Sequence, residues 1–206
     1  MTDETLVPTQ SARLELAEER TGLREGYRFL DEKRLILAAE MLAEIRRYET
    51  ARRAFDADYA HACDLLKTAI VRQGLDGLEV YPAMPALEGV LDVRRRSVLG
   101  VSLEDVEVEL GERAEPPPGV EASPEADACR AAFAVLVPKA AQLAAMAANL
   151  ERLRADYART ARRARALEDV LLPEVDQRLA HIEAALEELE REESVRARIG
   201  AGWSRG

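Results

Sequence analysis

Two long stretches that are almost free of helix-breaking residues constrain the fold of this chain most strongly. The first, residues 11–73, has no proline, and glycine occurs only near its start. The second, residues 124–199, has no glycine, and only Pro138 and Pro173 interrupt it. Most of the remaining glycine and proline of the 206-residue chain lies in residues 74–123. This distribution predicts a long helix, a punctuated middle segment and a second long helix.

The first stretch carries the heptad repeat of a coiled coil. Its seam residues recur at alternating spacings of four and three, the pattern that lets one helix pack along another. The apolar pattern shifts by one residue near Glu44, and we expect this slip to change the supercoil pitch locally. The predicted seam comprises Leu16, Arg20, Leu23, Tyr27, Leu30, Arg34, Leu37 and Met41 before the slip, and Ile45, Tyr48, Arg52, Phe55, Tyr59, Ala62, Leu66 and Ala69 after it.

The second stretch repeats this alternation on an alanine-rich seam, whose small side chains let two helices approach closely. Ser123, Pro124 and Glu125 stand at its start and have the residue types of an N-cap, a first helical turn and a favourable charge at the helix dipole. The predicted seam comprises Leu136, Ala140, Leu143, Ala147, Leu150, Arg154, Tyr157, Ala161, Ala164, Glu168, Leu171, Val175, Leu179, Ile182, Leu186 and Leu189.

Pro173 lies inside the second stretch and allows two interpretations. A proline in a helix interior removes a backbone donor and crowds the preceding turn, at a cost of ~3 kcal/mol. The helix could therefore end at Leu172. We favour a kinked helix that continues, because the apolar register runs from Leu171 through Val175 to Leu179 without a reset.

Each helical stretch carries one apolar seam, and the two seams can be buried against each other. Because the middle segment returns the chain, we expect the helices to be antiparallel. The predicted fold is all-α dominated: a long antiparallel two-helix coiled coil with a small β-hairpin-containing insertion between the helices. We assign residues 1–73 to the N-terminal coiled-coil helix, 74–123 to the insertion, and 124–206 to the C-terminal helix and a short tail.

The middle segment contains β-like stretches. Residues 89–93 come first, the arginines 94–96 follow, and residues 101–103 and 106–110 come next. The last stretch alternates apolar and acidic side chains with period two, as a half-exposed strand does. We predict a small hairpin with the three arginines between its strands. Two strands alone are marginally stable, so the hairpin is expected to lean on the helices or on another protein.

Composition narrows the functional classes. Aromatic residues make up only 4 % of the chain, which suits a thin helical seam better than a compact globule. The net charge of −10 argues against a general nucleic-acid-binding protein, because phosphate contacts need a basic surface. No run approaches the ~18 consecutive apolar residues of a membrane-spanning helix, so none is expected. The acidic N-terminus lacks the apolar core of a secretory signal.

The residues themselves do not suggest catalysis, and we expect no catalytic, cofactor-binding or metal-binding residue. The sequence has no phosphate-binding GxxxxGK[ST] or GxGxxG loop and no HExxH zinc motif. Cys63 and Cys129 lie in no CxxC pair, and His61 and Cys63 would point to different faces of a helix. The carboxylates are interleaved with arginines, as on solvated helix faces.

Short motifs spread along the chain carry a family resemblance. They are VPT at residues 7–9, LDEKRL at 30–35, PALEGV at 85–90, RTARRARALEDVLLP at 159–173 and LEELEREE at 186–193. In this order, and over nearly the whole chain, they resemble the D-subunit family of the vacuolar/archaeal-type (V/A-type) ATPases. The stretch that ends at the proline of 159–173 is the most specific.

The resemblance implies a role as well as a fold. In that family, a long antiparallel coiled coil with a small insertion turns inside a ring of catalytic (A-type) and non-catalytic (B-type) subunits. It binds the small F subunit of the stalk and rests on the rotor-cap subunit (C/d type) above the membrane. The chain would then transmit torque between ATP chemistry and proton or sodium transport. It would be a non-catalytic, cytoplasmic subunit, peripheral to the membrane through the complex and without membrane insertion.

Two sets of residues are candidates for partner contact. The arginine-rich segment is our candidate for meeting acidic loops of the ring, and an ordinary solvated helix face is the alternative interpretation. The hairpin is our candidate for contact with the F subunit or for regulation. The candidate residues are Arg159, Arg162, Arg163 and Arg165 in the segment, and Val101, Leu103, Val106, Val108 and Leu110 in the hairpin.

Three other functions remain open at this point. The γ stalk of an F-type ATPase carries a larger α/β domain between its helices, for which residues 74–123 are too few. The stalk of a secretion or flagellar-export ATPase is also a coiled coil, but would usually lack the middle strands. A coiled-coil scaffold or adaptor would not co-purify with ring subunits, whereas a rotor subunit would.

Overall fold

The computed structural model describes residues 7–81, 89–110 and 123–203, in which helices dominate. The predicted fold class, a helical coiled coil with a small β insertion, is confirmed. The predicted family motif at 85–88 and the prolines at 116–118 lie outside the described residues. The elements are helix α1 (Gln10–Glu79), strands β1 (Gly89–Val98) and β2 (Val101–Leu110), helix α2 (Pro124–Ala166), a π-helical turn (Leu167–Leu171) and helix α3 (Leu172–Trp203).

Helix α1 is interrupted at Gly74 but does not end there. Its first turn is capped by Thr9, whose Oγ1 accepts a hydrogen bond of 3.1 Å from the backbone N–H of Ala12. At Gly74 the backbone leaves the helical region, with φ 72° and ψ 169°, and the helix then continues to Glu79. Glycine adopts this positive φ at no steric cost because it has no Cβ. The first helix therefore extends beyond residue 73.

The predicted N-cap of the second helix is confirmed. Oγ of Ser123 accepts a hydrogen bond of 3.3 Å from the backbone N–H of Ala126, and its carbonyl oxygen accepts one of 3.0 Å from Asp127. Pro124 is the first residue of α2, where its missing N–H leaves no helical bond unmade. Pro138 lies within α2 and does not end the helix.

The helix does not end before Pro173. The backbone N–H of Leu172 donates to the carbonyl oxygen of Leu167, one residue farther back than in an α-helix. Ala166 and Leu172, on either side of the turn, both have right-handed helical backbone angles. Proline crowds the carbonyl four residues before it, here that of Asp169, which lies inside the widened turn. The interpretation that the helix ends at Leu172 is therefore wrong.

The chain forms two compact units. Unit 1 combines Met1–Leu35 with Ala158–Gly206, and unit 2 is Ile36–Tyr157. Unit 1 therefore joins the two ends of the chain, whereas unit 2 contains the hairpin. The three segments assigned from the sequence divide the chain differently and stay a prediction.

In unit 1, the start of α1 packs antiparallel against the C-terminal helices. The NH1 atom of Arg20 lies 3.7 Å from Oδ1 of Asp176. Farther along α1, a methyl group at Gly26 would lie 3.7 Å from Cδ1 of Leu167, which precedes Asp176 in the chain. The core is apolar and consists of Ala12, Leu16, Val175, Leu179 and Ile182, flanked by Leu23 and Leu186.

In unit 2, the rest of α1 packs antiparallel against α2. Asp58 of α1 forms an ion pair with Lys139, and farther along α1 Nε of Arg72 lies 3.7 Å from Oε1 of Glu125, near the start of α2. The core joins both helices to the hairpin and consists of Leu37, Val101, Leu103 and Leu153, flanked by Met41, Val98 and Tyr157. The antiparallel pairing expected from the two seams is therefore present in each unit.

The predicted hairpin is confirmed, although its arginines lie elsewhere than predicted. β1 and β2 form one antiparallel ladder that is joined by Leu99 and Gly100. Both joining residues have positive φ, 48° and 87°, as in a type I′ turn. The arginines 94–96 belong to β1 and do not separate the strands. Their charge does not end the strand, because Arg94 and Arg95 form ion pairs with Glu107 and Glu104 of β2 across the ladder.

The predicted slip in the α1 seam near Glu44 is wrong. Glu44 itself is 1 % exposed, whereas Arg52 and Tyr59, predicted for the seam, are exposed. The four-three alternation of covered positions continues unbroken. An apolar pattern alone misses it because two of these positions carry acidic side chains, Glu44 and Asp58. Covered positions along this register include Leu16, Leu37, Glu44, Ala51, Phe55, Asp58, Ala62 and Ala69.

The predicted α2 seam is also displaced in its middle. Ala140, Ala147 and Arg154 are exposed. Alanine occurs on several faces of this helix, so small side chains give no contrast between the inner and outer faces. The buried positions are Ala126, Cys129, Ala134, Leu136, Asn149, Leu153, Thr160 and Ala164.

One helical span, Pro124–Ile199, contains a window long and apolar enough to cross a membrane, with a mean hydropathy of 1.5 and 11 % of its residues buried. The expectation that no segment is apolar enough is therefore wrong on composition. Between Arg130 and Asn149 alanine predominates, and Lys139 is the only charged residue. Composition alone does not place a helix in a membrane, and the absence of membrane insertion stays a prediction.

Candidate functional site

Two of the five predicted contact residues of β2 lie in the core that the hairpin shares with the chain's own helices. Val101 and Leu103 are buried in the core of unit 2, and Val106 and Val108 are half-buried. Leu110 pairs with Gly89 through its backbone, and its side chain lies outside the described part. The surfaces of Val101 and Leu103 are therefore already covered within the chain, and a partner contact through β2 stays a prediction.

The exposed apolar side chains of the hairpin lie on β1 and at the turn. Val90 is 71 % exposed and Leu91 is 59 % exposed, and Val93 and Leu99 are also exposed. We call these four residues, which lie on both faces of β1 and at its turn, the outer strand surface. The sequence indicates the strand but does not distinguish these residues, since both strands carry apolar side chains and only the structure shows which of them are covered.

A cluster of polar side chains holds β2 on the two helices. Its centre is Asn149, which is 1 % exposed and is the only asparagine of the chain. Its Oδ1 accepts a hydrogen bond of 2.9 Å from the backbone N–H of Glu104, and its Nδ2 donates one of 2.8 Å to the carbonyl oxygen of Glu104. One side-chain amide of α2 therefore satisfies both backbone groups of a residue on the open edge of β2.

The same amide also binds α1 and its own helix. Nδ2 of Asn149 donates to Oε1 of Glu44 at 3.2 Å, and Oδ1 accepts a second bond, of 3.1 Å, from Arg152. Oε2 of Glu44 accepts a hydrogen bond of 3.1 Å from Arg47. A buried carboxylate is costly unless it is paired and hydrogen-bonded, and here both of its oxygens have donors.

Ion pairs surround this amide on its outer side. NH2 of Arg47 lies 3.2 Å from Oδ1 of Asp105, and NH2 of Arg152 lies 2.7 Å from Oε2 of Glu104. Hydrogen bonds from Arg152 and Arg95 hold the pKa of Glu104 below its usual value, although desolvation opposes them. Desolvation also opposes the charge of Arg47, but Glu44 and Asp105 outweigh it and raise the pKa of the guanidinium. These charges fix the hairpin to both helices of unit 2.

The predicted arginine segment lies on the exposed side of α2 in unit 1. Arg159, Arg162, Arg163 and Arg165 are all exposed. None of the last three forms an ion pair with any residue in the described ranges. Long guanidinium side chains on an otherwise acidic protein offer a local basic surface that suits carboxylate partners.

The π-helical turn follows this segment directly and is anchored to α1. Leu167 packs at Gly26, and Glu168 lies at the hydroxyl of Tyr27. Burial and then the neighbouring Glu168 carboxylate raise the pKa of Tyr27. The opposite side of the turn exposes two apolar residues. We define the arginine surface as Arg159, Arg162, Arg163 and Arg165 together with Val170 and Leu171.

No metal centre is visible in the described ranges. They contain no group of three or more His, Cys, Asp or Glu side chains that could hold an ion. Cys63 and Cys129 are free thiols, and burial raises the pKa of Cys129 above its usual value.

Sequence reasoning missed Glu44 and Asn149 as functional positions. Two signals were available: the apparent slip falls at Glu44, and the only asparagine of the chain stands in an alanine-rich helix. Neither signal says that the two side chains meet, because they are far apart in the sequence.

Comparison with known proteins shows which family the chain belongs to. The model of the family of ATP synthase D subunits matches residues 12–200. The chain belongs to the ATP synthase D-subunit family. This confirms the resemblance to the D subunits of the V/A-type ATPases and makes the chain a component of that kind of complex.

Relatives from bacteria and archaea agree with this assignment. The V-type ATP synthase D subunit of Thermotoga neapolitana is 23 % identical over 192 residues, which cover 93 % of this chain and 95 % of the relative. The A-type ATP synthase D subunit of Thermococcus sibiricus is 26 % identical, with 90 % and 88 % covered. That of Methanopyrus kandleri is 29 % identical, with 95 % and 87 % covered. The likeness to D subunits therefore extends over both units.

Proposed function

We propose that this chain is the central shaft of a V/A-type rotary ATPase and transmits torque between the catalytic ring and the ion-translocating rotor of the membrane. The observation that carries the proposal is the match to the D-subunit family over residues 12–200, together with antiparallel helix pairing within each unit. The shaft works in ATP synthesis or in ATP-driven proton or sodium transport, and the catalytic residues belong to other subunits.

The mechanism rests on differential contact. A shaft coupled to ATP chemistry must favour a different conformation at each catalytic interface that it faces, since a contact equally good with every conformation shifts no equilibrium. The arginine surface gives unit 1 one basic side, so a partner's acidic loop interacts with it in some orientations and not in others. Rotation then changes which interface receives this contact.

The partners follow from the same proposal. The arginine surface meets the A-type and B-type ring subunits, and the outer strand surface of the hairpin meets the small F subunit of the stalk. Other parts of the shaft rest on the rotor-cap subunit of the C/d type. The chain holds no cofactor, binds no nucleic acid, and stays cytoplasmic at the membrane surface through the complex.

Charge reversal on the arginine surface tests this function. In the assembled complex, Arg162→Glu with Arg163→Glu is expected to lower ATP-driven ion transport more than ATP hydrolysis, because the proposed contact between the ring and the shaft is weakened. Arg46→Glu with Arg53→Glu is the matched control, since both side chains are exposed on α1 of unit 2. Equal transport by both variants and the unmodified complex would contradict the role of this surface.

Purification tests the complex itself. The tagged chain, isolated from its own cell at low salt, is expected to carry A-type and B-type ring subunits and a small F subunit with it. Recovery of the chain alone, or with unrelated proteins only, would contradict the proposal and favour a scaffold.

A further inference from the structure

The polar residues of the unit 2 seam pair at three levels. Along α1 the partners are Glu44, Asp58 and Arg72, which are spaced by two heptads each. Along α2, in the antiparallel direction, they meet Asn149, Lys139 and Glu125. The contacts are 3.2 Å from Nδ2 of Asn149 to Glu44, an ion pair between Asp58 and Lys139, and 3.7 Å between Arg72 and Glu125.

Sliding the helices by one heptad destroys all three pairs. Ala51 or Leu37 would then face Asn149, and Ala51 or Leu65 would face Lys139. The asparagine is buried, so its amide would lose partners in a place that water does not reach. An apolar seam alone would tolerate the same shift, because it would still bury apolar side chains.

Sliding by two heptads brings like charges together. In one direction Arg72 would stand opposite Lys139. In the other direction Asp58 would stand opposite Glu125. Although Lys139 would then face Glu44, the buried Asn149 would face Leu30 and lose its carboxylate partner. Like charges at such positions repel, so the register that unites unlike partners at all three levels is the one observed.

Asn149 couples the position of the hairpin to this register. Its amide binds the backbone of Glu104 in both directions and binds Glu44 at the same time. A shift of the helices would therefore also break the hydrogen bonds that hold β2 on them. The Asp58–Lys139 pair is half-exposed and Arg72 is largely exposed, so both ion pairs contribute little stability. A buried polar residue at a seam position, in contrast, is known to select register.

We propose that Glu44, Asn149 and the two ion pairs select a single axial register of α1 on α2 and seat the hairpin in that register. The apolar core of unit 2 supplies the affinity between the helices, and these polar pairs supply the choice of position. The polar pairs select this register whether or not the chain turns as a rotor. If it does turn, the hairpin turns with the shaft as a fixed projection.

Distances between spin labels test the register. The full chain receives labels at Arg53→Cys and Ala144→Cys, both exposed, after Cys63→Ser and Cys129→Ala remove the native thiols. The unmodified seam is expected to give one narrow distance distribution. Glu44→Leu with Asn149→Leu is expected to keep or raise the unfolding midpoint, yet to add a second population displaced by about 10 Å along the helix, which is one heptad.

Hydrogen exchange tests the hairpin seat in the same variants. The amide of Glu104 is expected to exchange slowly, unlike the outward-facing amides of Ser102 and Val106 on the same edge of β2. In the double leucine variant its exchange rate is expected to rise at least tenfold, to that of its two neighbours. If the amide of Glu104 exchanged as fast as that of Ser102 in the unmodified chain, Asn149 would not protect the backbone of β2 and the proposal would be wrong.

Two further variants keep the test decisive. Leu153→Ala removes an apolar contact near the same level and is expected to lower the midpoint while the distance distribution stays single. Asp58→Lys alone is expected to lower the midpoint by a few degrees, and the added change Lys139→Asp is expected to restore most of it. A single distance in the double leucine variant, or no rescue by the charge exchange, would overturn the proposal.

Discussion

Unit 1 and unit 2 pair helices of the same kind with different residues. Within the described residues, unit 1 buries one polar side chain, Thr160, beside its apolar core, whereas unit 2 buries Glu44 and Asn149, which bond to each other across the seam. Burial of apolar surface has no direction, so it supports pairing without choosing among registers one heptad apart. Polar pairs lose their bonds in every other register. Apolar residues therefore supply the affinity between the helices, whereas polar pairs determine their register.

The largest effect is expected from truncating the core of unit 2. Leu37 and Leu16 occupy equivalent heptad positions, but Leu37 also contacts the hairpin residues Val101 and Leu103. Leu37→Ala is expected to cost about 4–5 kcal/mol of unfolding free energy, the upper part of the ~2–5 kcal/mol range for a buried leucine. Leu16→Ala is the matched variant in unit 1. Urea unfolding decides: a smaller loss for Leu37→Ala than for Leu16→Ala would mean that the hairpin does not share the core.

A smaller contrast is expected between the buried polar residues of the two units. Asn149→Val leaves the backbone of Glu104 and the carboxylate of Glu44 short of partners, at a cost of about 1–3 kcal/mol. The hydroxyl of Thr160, in unit 1, forms no hydrogen bond to another residue of the described ranges. Thr160→Val leaves no other group without a partner and is therefore not expected to lower the stability. Equal effects in thermal unfolding would remove the distinction between the units.

The hairpin turn offers a stabilising change. Leu99 has a φ of 48°, which costs a residue with a branched side chain about 1–2 kcal/mol. Asparagine tolerates this conformation and precedes glycine in favoured type I′ turns. Leu99→Asn is expected to slow amide exchange in β1 and β2 and to leave unit 1 unchanged. Faster exchange in the hairpin would show that Leu99 is held there by contacts that outweigh the strain.

The smallest effect is expected from acid. The pKa of Glu104 is lower in the folded chain than in the unfolded chain, because Arg152 and Arg95 bond to its ionised form. Its contribution is fully present above the unfolded pKa and is lost as the pH falls through the folded pKa. Thermal unfolding from pH 7 down to pH 3, at ~0.05 M salt to limit screening, is expected to show this loss. Arg152→Gln should flatten that part of the profile, and an unchanged profile would contradict the assignment.

The sequence predicts the helices and the hairpin well because their signals are local. The long stretches with little proline and glycine locate the helices, and Ser123 and Pro124 have the residue types that a helix start requires. The exposed arginines of α2 were also predictable as residues, since the most specific family motif contains them. Their contact with a ring subunit stays a prediction.

The parts that could not be predicted depend on contacts between distant segments. Glu44 looks like an exposed residue until Asn149 and Arg47 are placed at its oxygens. The arginines 94–96 look like a break between strands until the acids of β2 are placed opposite them. In the alanine-rich part of α2, small side chains do not distinguish the buried face, so the seam was displaced there.

Rotation of the chain as a shaft, which we propose, can be observed directly. A bead attached at Arg53→Cys, on a side chain that is 79 % exposed, can report its motion in a complex whose ring is fixed to a surface. On addition of ATP we expect stepwise rotation of the bead in one direction, which stops when ATP is removed. A bead that stays still while the same complexes hydrolyse ATP would contradict the proposed role as a shaft.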